Sequence, residues 1–452
     1  MKHHSIEALS ASEFERLRCH ASQEKDFIFL GSTADHGNSG RYQHFSACAH
    51  HQITFDHATC RQQFGRAPAG PVSQELTEAA APFVVEESAA EHPLPGGWFG
   101  FVSYEFGYLR EPRLQALCPP MPSPVFCAGL FLWVATYDRH TGEYLLFLHK
   151  DCAPQTRQQL AVWRQESGTE RPLSWYMTRA FQPEQDREVF LAGIRRVKDY
   201  IEAGDCYQAN LAQQFQGTYD GDPWAAFLAL SKTHSTPFSA FMRFNGQALL
   251  SISPERFLKI NRGHVETSPI KGTRRRGDTP DEDAALASEL QRSEKDRAEN
   301  LMIVDLLRND LSINCQPGSV KVGRLFELET YQNVHHLVSH VQGELTPGTD
   351  PFKAFLEAFP GGSITGAPKI RAMEIIRELE PHWRGPYCGS VFYWGLNGRI
   401  DSNIAIRTLY CENGKIRCWG GGGIVADSDP VSEYEETLTK VRPLMELLEI
   451  LQ

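Results

Sequence analysis

The stretch GLFLWVATYDRHTGEYLLFLH, residues 129–149, reads as a β-hairpin: two well-buried strands, 129–137 and 143–149, joined by the polar turn 138–142. Just upstream, GGWFGFVSYEFGY (96–108) mixes glycines with aromatics, the pattern of a strand packed closely on its neighbours. Strand signals dominate residues 1–165, and the mostly polar segment 155–179 reads as a linker or peripheral piece. Helices begin after it. Phe190, Ile194, Val197 and Ile201 recur at helical spacing and Gly204 closes the run, while Asp222-Pro223 starts a second helix through Leu230. Strands near 238–244, 248–252 and 256–260 precede a helical region from 281 to 307. The last third holds a helix after Ala367-Pro368, strands near 388–395, 402–410 and 415–419, and a long C-terminal helix. Strands and helices are segregated rather than alternating, so the fold class is α+β and not a doubly wound parallel sheet.

Composition narrows the function less sharply. The chain has 452 residues, with 45 Lys+Arg against 56 Asp+Glu, a net charge of −11, and a globular balance of 41% hydrophobic and 22% charged residues. That acidity argues against nucleic acid and against an anionic membrane surface as partners. The eleven cysteines are scattered with no C-x-x-C pair, so they read as reduced thiols rather than a disulfide framework or zinc site. The N-terminal residues lack an apolar signal region, and the longest apolar run, Ala128–Ala135, is too short to span a bilayer. The expected compartment is the cytoplasm.

Five constellations carry chemistry. FPGGSITGAPKIRAM (359–373) is a glycine-rich loop entering a helix, which can present N–H groups to an anion or serve only as a tight turn. Gly420–Gly423 follow a strand, and four glycines cost roughly 0.5–1 kcal/mol each relative to alanine, which favours close approach of a ligand. In the C-terminal helix, starting at Asp429-Pro430, Glu433, Glu436 and Lys440 share one face. They are either a solvated ion-pair face or carboxylates for a hard divalent cation. The helix 293–310 adds Glu299, Asp305 and Arg308 within an apolar stretch, where an acid needs a partner or a metal. Lys271, in ETSPIKGTRRRG (266–277), is a surface residue or, if desolvated, a neutral nucleophile.

Taken in order, SISPERFLKI, PIKGTRRRG, KDRAENLMIVDLLRND, VHHLVS, FPGGSITGAPKIRAMEIIRELEP, IAIRTL and GGGIVADSDPVSEYEETLTKV resemble the chorismate-utilising enzymes of the anthranilate synthase component I family. These segments cover about half the chain, Tyr207 to Val441, and residues 1–150 match more loosely. The resemblance implies a two-lobed β-sandwich core flanked by helices. Residues 1–165 would form an N-terminal lobe and 180–452 a chorismate-binding catalytic lobe, intertwined as one domain. Within the family, the anthranilate branch resembles Pro-Ile-Ala-Gly-Thr where this chain reads Pro269-Ile270-Lys271-Gly272-Thr273. The lysine version belongs to the aminodeoxychorismate synthase (para-aminobenzoate) branch, which implies conversion of chorismate to 4-amino-4-deoxychorismate for folate synthesis.

By the same resemblance Lys271, Glu255 and His336 are the catalytic residues, although His336 also reads as a buried structural histidine. Substrate contacts fall to Thr273, Ser363, Thr365, Tyr393, Arg407, Lys440 and the backbone of Gly421, Gly422 and Gly423. Glu299, Glu436 and Glu433 would hold Mg²⁺. The chain shows no amidotransferase cysteine motif, so ammonia is expected from a separate glutamine amidotransferase subunit. Ser32, Arg41, Tyr42, Pro237, Phe238 and Ser239 match the outline of the family's L-tryptophan pocket, with TADHGNSG at 33–40 hard to align. Arg274-Arg275-Arg276 departs from the family and reads either as positive potential at the site mouth or as a solvated basic turn. The rival readings are an anthranilate synthase or isochorismate-type enzyme, and a non-catalytic tryptophan-binding subunit. The intact set of charged residues speaks against the last.

Overall fold

The computed structural model describes residues 4–33, 36, 40–64, 68–83, 85, 93–165, 174–331 and 334–451. Two antiparallel sheets, one of twelve strands and one of ten, form the frame of an α+β fold. The first sheet runs from His4–Leu9 through Glu143–His149, Trp133–Asp138, Tyr42–Ser46 and Ile28–Gly31. It continues through Phe238–Phe244, Gln247–Ser253, Thr408–Glu412, Lys415–Ile424 and Gln208–Gly221. The second includes His51–Phe55, Phe126–Phe131, Gly97–Val102, Ser390–Gly395, Ile400–Asn403, Arg256–Asn261, His264–Ser268, Val334–Glu344 and Ile270–Arg275. Each sheet thus draws strands from both ends of the chain. Their apolar faces meet in one core, where Phe101 of the second sheet packs on Phe244 of the first at 4.8 Å between ring centroids.

The hairpin of residues 129–149 is only partly the one expected. Trp133–Asp138 pairs with Glu143–His149 as predicted, but Phe126–Phe131 belongs to the other sheet and pairs with Gly97–Val102. The chain changes sheets at Leu132. A strand buried on both faces has no polar alternation, so the change leaves no periodic signature. The same event recurs twice. Gln247–Ser253 and Arg256–Asn261 lie in different sheets, and the strand expected over 402–410 is divided into Ile400–Asn403 and Thr408–Glu412, again in different sheets. These two crossings are tied together: Ile404 N donates to the Glu255 carbonyl at 3.0 Å and Ser253 Oγ to the Ile404 carbonyl at 2.5 Å.

Other boundaries shift as well. Part of the expected linker is ordered as the helix Pro154–Gln165 and the strand Trp175–Pro183, with 166–173 outside the described residues. The helical region 281–307 is two helices, Pro280–Arg292 and Glu294–Ser312, divided at Ser293, whose side chain caps the second. All eleven cysteines are free thiols, nine of them buried. Among the described residues no helix is long and apolar enough to cross a membrane.

The four glycines are not a loop. Gly420–Gly423 lie inside the strand Lys415–Ile424, paired with residues 210–213 of the neighbouring strand. Gly420 lets the C-terminal helix, Pro430–Ile450, lie almost on the sheet, since a Cβ there would stand 2.5 Å from the Thr437 carbonyl oxygen, whereas one on Gly421 or Gly423 would meet Tyr387 or Gln208 at 2.8 Å. A Cβ on Gly422 would meet only Glu433, Glu436 and Lys440, at 3.4–3.8 Å. Gly420→Ala is therefore expected to lower stability by about 1–3 kcal/mol in urea unfolding. Gly422→Ala should change it by less than about 0.5 kcal/mol. Equal effects would contradict this packing.

Candidate functional site

The two chain crossings deliver the first functional groups. Glu255 sits on the first, between Ser253 at the end of one sheet and Arg256 at the start of the other, and only 6% of it is exposed. Its carboxyl accepts a hydrogen bond from Ser363 Oγ at 2.8 Å. Burial pushes its pKa up to about 7, opposed by the Ser363 hydroxyl and by the charge of Lys271. Arg407 sits on the second crossing in a left-handed backbone conformation, φ 49°. Burial lowers the pKa of its guanidinium, and no carboxylate among the described residues offsets that loss of water. A desolvated arginine without a carboxylate partner is poised for an anionic ligand.

Lys271 comes from the strand Ile270–Arg275, whose register against Val334–Glu344 shifts between Ile270 and Thr273. The extra residue makes a bulge, which re-aims a side chain out of simple alternation. Gly272 supports it with φ 84°, and a Cβ there would stand 2.8 Å from Leu290 and 3.0 Å from Asp296. Lys271 is half-buried and its Nζ faces the carbonyl of Ser363 at 3.5 Å, so Ser363 touches both the acid and the amine. Desolvation lowers the Lys271 pKa, while Glu299 and Glu255 pull it back up. On the same ladder, Thr273 Oγ1 and His336 Nδ1 share a 2.9 Å hydrogen bond. Burial first, then Arg407, lowers His336 to about 4, so the ring is neutral near pH 7.

The loop residues divide their labour. Ser363 binds Glu255, whereas buried Thr365 donates to the Gly361 carbonyl at 3.1 Å and so shapes the loop itself. Glu299, Glu433, Glu436 and Lys440 gather where the C-terminal helix passes the glycine strand. Lys440 Nζ lies 2.8 Å from Glu436 and donates to the Gly421 carbonyl at 3.0 Å. Ser428 Oγ donates to Glu433 at 2.6 Å. Burial raises Glu299 and Glu433, and neighbouring acids push each further the same way. Burial also raises Glu436, but Lys440, Lys295 and Lys271 outweigh it and hold the carboxyl low. Glu433 raises Glu299 and Glu436 raises Glu433, a repulsion between hard oxygen donors that Mg²⁺ would relieve, with the three carboxyls spread wider than 4.8 Å in this structure. Asp305 and Arg308 stand apart, exposed and paired with each other at 2.7 Å.

Tyr393 is a correction. It borders a different cavity, about 540 Å³, between the two sheets, together with Arg41, Tyr42, Pro237, Phe238 and Ser239. The strand Ser390–Gly395 belongs to the second sheet, and its Tyr393 faces that inter-sheet space rather than the Lys271 group. Ser32 is buried beside the cavity, its Oγ 3.0 Å from Ser235 Oγ. Residues 34, 35 and 37–39 of the hard-to-align segment lie outside the described residues. Each arginine of the run is ion-paired, and Arg275 is exposed to solvent. Arg274 pairs with Glu289 and Asp296, Arg275 with Glu282, and Arg276 with Asp283.

Sequence reasoning missed two supports. Arg384, 1% exposed, pairs with Glu380 at 2.6 Å and donates to the carbonyls of Ile364 (3.1 Å) and Asn210 (2.6 Å). It binds the glycine loop to the strand beside Gly420–Gly423. Its charge in PHWRGP gave no hint of burial, though the i,i+4 spacing to Glu380 was readable. Lys295 lies 3.9 Å from Glu299, also i,i+4, and its charge acts on Glu433 and Glu436 as well.

Comparison with known proteins places this geometry. Residues 29–446 match the family model described as chorismate binding enzyme. The chain is 43% identical over 357 residues to aminodeoxychorismate synthase component 1 of Klebsiella aerogenes, covering 79% of this chain and 78% of that one. It is 36% identical over 398 residues to anthranilate synthase component 1 of Bacillus caldotenax, covering 81% and 76%. A crystal structure of anthranilate synthase component I from Streptococcus pneumoniae TIGR4 superposes with a TM-score of 0.77 at 27% identity, over 92% of this chain and 94% of that one. The chain belongs to the chorismate-binding enzyme family.

Proposed function

We propose that this chain is an enzyme that converts chorismate and ammonia to 4-amino-4-deoxychorismate, with Lys271 as the covalent nucleophile. The observation that carries the reading is Lys271 itself, set on a bulge in a desolvated site, with Ser363 joining it to the buried acid Glu255. The identity to a relative named aminodeoxychorismate synthase component 1, 43% against 36% and 39% to two anthranilate synthases, supports the same choice over the anthranilate alternative.

The chemistry needs an acid at Glu255 and a free amine at Lys271, and burial moves both groups in those directions. The neutral Lys271 amine attacks C2 of the ring, the two ring double bonds shift, and the C4 hydroxyl leaves as water with the proton of Glu255. Ammonia then attacks C4, the double bonds shift back, and the Lys271 amine departs from C2, regaining a neutral state as the spare proton returns to Glu255. Neutral His336, held by Thr273, would orient the ring, and the unpaired Arg407 would take a substrate carboxylate. Mg²⁺ on Glu299, Glu436 and Glu433 would supply a hard positive charge for the other carboxylate. Ammonia would come from a glutamine amidotransferase subunit, so the purified chain should use ammonium and not glutamine.

The inter-sheet cavity supports a second binding reading, L-tryptophan. Tyr42, Phe238 and Tyr393 offer aromatic walls, and Arg41, Arg399 and Asp401 offer charged groups for an amino acid's two ends.

Three outcomes test these readings. Lys271→Ala should lower ammonium-dependent product formation by roughly 100-fold or more, about 2.7 kcal/mol of barrier. Without ammonia, intact mass should show a chorismate-derived adduct on the wild type only. Because the Glu255 pKa is raised, its carboxyl should stay protonated below about pH 7 and ionise as pH rises through that value. Infrared difference spectra should show one protonated-carboxyl band disappearing across that range, absent in Glu255→Gln, which should also lose about 10²–10⁴ in rate. Equilibrium dialysis should find one equivalent of labelled tryptophan per chain. No retention at millimolar ligand would remove that reading.

A further inference from the structure

Away from these sites, the strands Lys321–Thr330 and Val334–Glu344 place Glu327, Glu329 and His340 together on one edge of the second sheet. Among the described residues they are the only three His, Cys, Asp or Glu side chains whose ligand atoms all lie within 4.8 Å of one another. His340 Nε2 stands 3.2 Å from a Glu327 oxygen and 3.3 Å from a Glu329 oxygen. Metal bonds of about 2.0–2.1 Å at tetrahedral angles put neighbouring donor atoms about 3.3–3.4 Å apart, so these separations are those of a coordination shell. A protonated histidine pairing with one carboxylate would align its N–H on that oxygen. Here Nε2 is screened from water, nearly equidistant from two oxygens, and aligned for a hydrogen bond with neither.

Two of the prospective ligands are also held from behind: Ser268 Oγ lies 3.1 Å from His340 Nδ1, and Tyr331 donates to the other Glu329 oxygen at 2.5 Å. Arg324 pairs with Glu327 at 2.8 Å through both of its oxygens, including the one that faces His340. Such outer partners fix the histidine tautomer and the carboxylate orientation. Glu329 and His340 border a cleft of about 270 Å³, which gives an ion a way in.

We propose that Glu327, Glu329 and His340 form a binding site for one divalent transition-metal ion of the zinc class, separate from the Glu299, Glu433 and Glu436 group. An imidazole with two carboxylates suits zinc, cobalt or nickel, whereas Mg²⁺ prefers oxygen alone. Glu329 faces His336 across the ladder, so an ion here would pin the strand Lys321–Thr330 to the strand carrying His336.

The test is equilibrium dialysis of the full chain against zinc, with millimolar Mg²⁺ throughout, and metal counted by mass spectrometry. Wild type should hold one equivalent more than His340→Gln or Glu329→Gln, each checked for native circular dichroism. Equal stoichiometry in all three would overturn the site. Wild type loaded with Co²⁺ gives a second reading that needs no variant. Visible bands of a tetrahedral site without a thiolate charge-transfer band are expected, and only thiolate-bound or six-coordinate cobalt would overturn the proposal.

Discussion

Ser363 stands between an acid and an amine: its hydroxyl donates to Glu255 at 2.8 Å, and its carbonyl faces Lys271 Nζ at 3.5 Å. This small bridge depends on a larger constraint, which is that the site is dry. Removal from water raises the acid and lowers the amine, so their proton affinities move toward each other. The same desolvation keeps His336 neutral and leaves Arg407 an unsatisfied cation. One environment thus prepares an acid, a nucleophile and an anion receptor. The acidic chain still offers positive charge where a dianion must sit.

The fold exists to make that enclosure. A two-sheet sandwich has an apolar interior with no natural place for charge, and the charged groups enter where the chain leaves one sheet for the other. Glu255 and Arg407 lie on such crossings, which are hydrogen-bonded to each other. Gly420 removes the side chain that would hold the C-terminal helix off the sheet, and Glu433, Glu436 and Lys440 arrive with that helix. Arg384, fully buried with Glu380, locks the loop bearing Ser363 against the adjoining strand.

Much of this was legible in the sequence. Turn chemistry and periodicity located most helices and strands, because Asp222-Pro223, Asp429-Pro430 and the apolar spacing at 190–201 are local signals. The sheet changes at Leu132 and at 404–407 were not legible, since strands apolar on both faces carry no alternation to interrupt. Nor did Gly420–Gly423 read as a strand interior, because a glycine's reason can be an approaching helix supplied by distant sequence. Tyr393 failed differently. It lies between two matched segments, 359–381 and 404–409, yet a strand's neighbours belong to different faces, and the cavity it borders is the one between the sheets. Lys271 could be placed by its motif, but the bulge that aims it required the partner strand.

Enclosure, rather than any single partner, makes Lys271 an amine ready to attack. Competitive acetylation of the native chain across pH, with each lysine quantified by peptide mass spectrometry, measures this directly. Lys271 should titrate below the exposed lysines of the same molecule. Titration of Lys271 together with those surface residues would contradict the account.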